Sequence, residues 1–213
     1  MRWELWLAFL GAAIAISVSP GAGAIQSMAT GLTHGLRRGF WSIAGLQAGL
    51  MLQLALVAVG LGAAVAKSVL AFTVIKWLGV LYLVYLAVRQ WRSAVGDLGD
   101  QLGTTVEGGR VTLLTRGFLV NVSNPKGLVF LLAVLPQFIV VTESLLPQYL
   151  MIAATMLVVD IVVMAGYTGL AARLVGWLRT PGQQRAVNRI MSVLFATAAV
   201  LLSLVRRGAP GAS

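Results

Sequence analysis

Long apolar runs dominate this chain and leave it few ways to fold in water. Six of them, roughly 4–33, 40–66, 69–90, 114–140, 147–172 and 187–205, are separated by stretches that carry most of the charge. A helix needs about 20 apolar residues to cross the hydrocarbon core of a bilayer. The runs therefore predict an all-α integral membrane protein with about six transmembrane helices. Composition agrees, with 59% hydrophobic residues, 10% charged residues and a mean hydropathy of +0.90. Soluble domains carry about 25% charged residues.

The first and fourth runs are longer than a straight span requires, and each is interrupted near its middle. The interruptions read Ile16-Ser17-Val18-Ser19-Pro20-Gly21 and Val122-Ser123-Asn124-Pro125-Lys126-Gly127. In each, a good N-cap residue, Ser19 or Asn124, precedes a proline at the first position of a new helix. Inside an apolar run that signal breaks a membrane helix near midplane. Backbone freed at such depth must be buried in protein or line a polar cavity. A proline that merely kinks a helix is the plainer reading of either break alone. Two breaks at matching places in two halves of a chain point instead to a transporter's binding site.

The segment 91–113, WRSAVGDLGDQLGTTVEGGRVTL, has many glycines and no apolar periodicity, so it is expected to be a flexible cytoplasmic linker. It divides the chain into a first three-helix repeat at 1–90 and a second at 114–205, with a short tail at 206–213. Each repeat opens with a Pro-broken helix, and three is odd, so the second would cross the membrane upside down. That is the inverted-repeat plan of many secondary transporters. With the N-terminus outside, Arg37, Arg38, Arg89, Arg92, Arg110, Arg116, Arg173, Arg179, Arg185 and Arg189 face the cytoplasm. Arg2, Lys67, Arg206 and Arg207 would lie outside, which favours this orientation.

The net charge of +10 raises nucleic acid as a partner, but the cations sit in short clusters between apolar runs, as positive-inside loops do. No nucleic-acid binding is expected. Cysteine is absent and His34 is the sole histidine, so neither thiol chemistry nor a histidine metal site is expected. Glu4 in the first turn, and Ser19-Pro20 where cleavage would be sought, argue for a retained first segment. No nucleophile–base–acid set and no phosphate loop is visible, so neither an enzyme nor direct use of ATP is expected, and no cofactor is implied.

The candidate binding residues follow from depth. A half-helix that starts at midplane presents free N–H groups and the positive end of its dipole, which suit a carboxylate. Ser19, Pro20, Gly21, Asn124 and Pro125 form those starts. Lys126 lies well inside the membrane, where a charge costs at least about 2.5–3.5 kcal/mol and marks function by default. It is a candidate to neutralise a ligand carboxylate or to pair with an acid. Asp160, in TMLVVDIVVMAGY, is the carboxylate set deep in a span. It is a structural partner for Lys126, a site for a substrate ammonium, or a carrier of a coupling proton, since desolvation disfavours a carboxylate's charged form. Tyr167, seven residues on, shares its helical face. Gln47 and Gln53 are candidates to bond a ligand or a neighbouring helix. Gly45-x-x-x-Gly49 permits close helix packing, and a homodimer is one use of it. Trp3, Trp6, Trp77, Trp91 and Trp177 read as an interfacial belt.

Ser19-Pro20-Gly21 resembles the SPGP-type signature of the lysine exporter and homoserine/threonine-resistance superfamily of translocators, with Ala22 in place of its last proline. GFLVNVSNPKGLVFLLAVLPQF, residues 117–138, is similar to that family's fourth-span block. MATGLTHGLRRG, SIAGLQAG and VVDIVVMAGY look closest to its homoserine and homoserine-lactone exporter branch. The resemblance covers nearly the whole chain. It implies efflux of a small amino acid across a bacterial inner membrane, coupled to the proton-motive force. A passive facilitator, and a non-transporting subunit whose polar residues only hold helices together, are the alternatives. Some members of the wider superfamily act on metals or thiols, which the absence of cysteine and the lone His34 argue against here.

Overall fold

The computed structural model describes residues 3–19, 21–67, 69–92, 108–140, 143–171, 173 and 181–204. Pro20, most of the linker at 93–107, Trp177 and the tail at 206–213 lie outside the described residues. What is described is helical: α1 (Trp3–Val18), α2 (Ala22–Lys67), α3 (Val69–Arg92), α4 (Arg110–Val122), α5 (Pro125–Val134), a 3-10 turn at Leu135–Gln137, α6 (Leu145–Gly169) and α7 (Pro181–Leu204). Of the segment 91–113, Trp91 and Arg92 belong to α3 and residues 110–113 to α4, while Gly108 and Gly109 are not helical.

Helix α2 is not a straight rod. Gly35 adopts φ 70° and ψ 177°, a left-handed φ that favours glycine. Gln26 Nε2 donates to Ser42 Oγ at 3.2 Å across this point. Sixteen residues of straight helix would span about 24 Å, so the two arms fold back on each other at Gly35. This divides α2 into a first arm, 22–34, and a second arm, 36–67.

The second arm of α2 is the centre of the packing. Helix α2 as a whole meets α4 more extensively than any other pair of described elements touches, and its second arm also meets α5 and α6. Small residues make that approach close. A Cβ on Gly45 would collide with the carbonyl oxygen of Leu114, one on Gly117 with that of Ser42, and one on Gly49 would lie 2.8 Å from that of Phe118. The Gly45-x-x-x-Gly49 face is therefore occupied by α4 of the same chain, not left open for a second copy. Asn121 Nδ2 adds a 2.6 Å bond to the Leu46 carbonyl across this seam. Elsewhere α1 packs on α6, and α3 on α7.

Phe9, Ala13, Leu50, Leu54, Phe130, Leu131 and Ile152 join α1, α2, α5 and α6 in one apolar core, with Phe9 edge-on to Phe138 at 5.3 Å between ring centroids. The outside is apolar too, with Leu56, Val59, Leu146, Val158 and Val162 exposed, as a lipid-facing surface requires. Ala22–Gly60 and Leu145–Gly169 are long and apolar enough to cross a bilayer. Arg110–Val122 and Pro125–Gln137, bent by 49°, make a further crossing if taken as one broken span. Trp6 does more than sit in a belt, since its Nε1 donates to Thr155 Oγ1 at 3.0 Å and ties α1 to α6.

Candidate functional site

The break between α4 and α5 is built from Asn124, which takes an extended conformation (φ −75°, ψ 104°) and accepts the Lys126 backbone N–H on Oδ1 at 3.1 Å. Pro125 follows at the start of α5, where its missing N–H costs nothing. One side chain reaches across the carbonyls of this break, two of which, those of Asn121 and Asn124, also accept backbone N–H groups. Gln53 Nε2 donates to the carbonyl oxygens of Asn121, Val122 and Asn124 at 2.9, 3.2 and 3.2 Å. Gln53 is almost fully buried, and Gly127 leaves it room, since a Cβ there would lie 3.0 Å from Gln53 Oε1.

The break after α1 is closed from the other half of the chain. Lys126 Nζ donates to the carbonyl oxygens of Ser19 at 2.6 Å and Ile16 at 3.3 Å. Tyr167 Oη donates to that of Val18 at 2.6 Å. A cation at a helix C-terminus also meets the negative end of the dipole. The Ser19 hydroxyl does not act as the cap that its sequence position suggests. It is buried and has no hydrogen-bond partner among the described residues. Gly21 must stay small, because a Cβ on it would lie 3.3 Å from Lys126 Cδ.

Between the two breaks lies a cavity of about 60 Å³. By the same measure a water needs roughly 10–15 Å³, so the space matches a solute of a few heavy atoms. Ser19, Gly21, Asn124, Lys126 and Asp160 line it, together with apolar Ile16, Leu46, Leu50, Phe130, Met156 and Met164. Asp160 is 9% exposed and accepts Gln47 Nε2 on Oδ2 at 2.7 Å, and Ser17 lines the same cavity. Gln47 Oε1 is buried without a partner among the described residues. Of the residues singled out from sequence, Gln47 and Tyr167 stand behind the lining and hold Asp160 and α1, while Pro125 is exposed. Among the described residues no three His, Asp or Glu side chains gather as a metal site would require.

A family model described as LysE type translocator matches residues 14–205, which takes in both breaks and Asp160. The chain belongs to this family. Close relatives of this translocator match along almost their whole length. A homoserine/homoserine lactone efflux protein of Salmonella typhimurium is 44% identical, over 97% of this chain and 99% of its own. An uncharacterized membrane protein of Vibrio cholerae is 40% identical, over 97% of this chain and 100% of its own. More distantly, a leucine efflux protein of Klebsiella pneumoniae is 25% identical over 63% of each chain. No solved structure matches the chain.

Sequence reasoning about this translocator missed Ser17, Asn121 and Met164 as cavity residues. Asn121 carried a signal, since it stands four residues after Gly117 and three before Asn124, on the small and polar face of its helix. Ser17 and Met164 carried none, because both residue types are common in apolar spans.

Proposed function

We propose that this translocator is a proton-coupled secondary exporter of small zwitterionic amino acids, of the homoserine or threonine type, in a bacterial inner membrane. The observation that carries this reading is the convergence of two helix breaks and one deep carboxylate on a single small cavity. The substrate carboxylate meets the start of α2, where Gly21, Gly23 and Ala24 line the cavity and the Ser19 hydroxyl is unpartnered. Early N–H groups of a helix have no internal acceptor, and the dipole there favours an anion. The start of α5 is the poorer candidate, because Asn124 already caps it. The ammonium meets Asp160, and Gln47 Oε1 accepts a further N–H or O–H. A proton and an ammonium then compete for one carboxylate, which is the simplest form of antiport.

The names borne by the Salmonella and Klebsiella relatives support an amino-acid substrate. The helix pairings support two inverted repeats, 1–90 and 114–205 about a linker at 91–113. The third helices, α3 and α7, pair with each other, and the second helix of each half packs on the broken helix of the other.

The test is flux from liposomes loaded with labelled homoserine or threonine, with and without a pH gradient. Gradient-driven release, abolished in Asp160→Asn while the variant stays folded, is the expected result. Equal release without a gradient would leave a passive facilitator. No release of either amino acid from folded protein, with Asp160→Asn affecting only stability, would favour a non-transporting subunit.

A further inference from the structure

A second cavity, about 520 Å³, opens where the second arm of α2 begins beside the start of α4. Arg37, Arg38, Trp41, Gly108, Gly109 and Arg110 line it, and among the described residues no carboxylate does. All three arginines are exposed, and the Arg110 guanidinium carbon lies 5.6 Å from the centroid of the Trp41 ring. Cation–π contact of this kind holds the planar fork in place without using its donors. The N-cap position of α4, Gly109, is extended and gives no side-chain cap. A Cβ on Gly109 would meet nothing within 4 Å, so this helix start is open.

Positive-inside placement accounts for arginines at span ends. It does not account for guanidinium groups from two helices meeting in one cavity that also receives an uncapped helix start. Guanidinium forks match phosphate oxygens, two donors at a time. The rim says what the phosphate belongs to. Leu36, Phe40 and Val111 are exposed large apolar side chains beside the arginines, with Val111 78% exposed. A free anion makes no use of them, whereas acyl chains do. Basic pockets at the ends of membrane helices bind anionic headgroups by the same chemistry.

We propose that this cavity binds the phosphate of an anionic membrane phospholipid, its acyl chains lying over Leu36, Phe40 and Val111. The test is native mass spectrometry of the purified full chain in detergent with equal phosphatidylglycerol and phosphatidylcholine. The wild type should retain phosphatidylglycerol preferentially. Each of Arg37→Gln, Arg38→Gln and Arg110→Gln should lower that retention roughly fivefold, while Arg185→Gln, at an exposed arginine of α7, leaves it unchanged. The single variants are read separately, so a triple variant that fails to fold does not remove the test. Equal retention of the two lipids, or retention unchanged in all three single variants, would overturn the proposal. Displacement of the lipid by equimolar inorganic phosphate would overturn it too, by assigning the arginines to a small free anion.

Discussion

At the break after α4, a neutral amide from Gln53 lies against the carbonyls of Asn121, Val122 and Asn124, and Asn124 caps the helix that follows. At the break after α1, the released carbonyls are held by the Lys126 ammonium and the Tyr167 hydroxyl, while the Ser19 hydroxyl caps nothing. The first arrangement is uncharged and closed. The second is charged, open at one helix start, and shares its cavity with Asp160. An incoming carboxylate or proton competes with a charged bond far more readily than with a network of neutral amides. The two breaks are also linked, because Lys126 is the second residue of α5. The closed break is thus the platform that aims a cation at the open one, and rigid support of this kind is what a binding site needs.

The largest effect should come from removing that cation. Lys126→Met leaves the Ser19 and Ile16 carbonyls without this donor and Asp160 without a cation across the cavity. Stability should fall by about 3 kcal/mol, the low end for breaking a buried charged set because Lys126 is partly exposed. Export should disappear with it. Thermal unfolding in detergent and liposome flux measure the two losses. Gln53→Leu comes next, at about 2 kcal/mol for the loss of a buried donor shared among three carbonyls. The comparison requires that its folded fraction still export normally. Full loss of flux in folded Gln53→Leu would make both breaks functional and remove the distinction.

Both breaks were legible from Ser19-Pro20 and Asn124-Pro125, and Asp160 from its isolation in an apolar run. Their meeting at one cavity was legible from the matching positions in the two halves. Which partner each polar side chain finds was not. Periodicity reports the buried face of a helix but not which helix covers it. Lys126 read as a neutraliser of a ligand carboxylate or a partner for an acid, and its bond to a carbonyl 107 positions away in sequence had no signal. Tyr167 shares a helical face with Asp160, yet its hydroxyl turns to Val18. Gly45 and Gly49 announced close packing without saying that α4 was the partner. The gap between the apolar runs 4–33 and 40–66 marked a connection, and only the Gln26–Ser42 bond fixes how sharply the chain folds back there.

Smaller effects sharpen the same contrast. Tyr167→Phe removes one hydrogen bond at the open break and should cost about 1 kcal/mol. Because that bond orients the end of α1, the KM for export should rise more than the maximal rate falls. Ser19→Ala should have the smallest effect on stability, within about 0.5 kcal/mol, since the hydroxyl it removes has no partner among the described residues. An ordinary capping serine would lose about 1 kcal/mol on the same change. Yet if the open helix start receives the substrate carboxylate, the hydroxyl is a charge-assisted donor, worth about 1.5–3 kcal/mol in the complex. Ser19→Ala should therefore raise the KM by at least roughly tenfold while the melting temperature barely moves. Loss of stability with an unchanged KM would make Ser19 a cap after all and return the two breaks to equivalence.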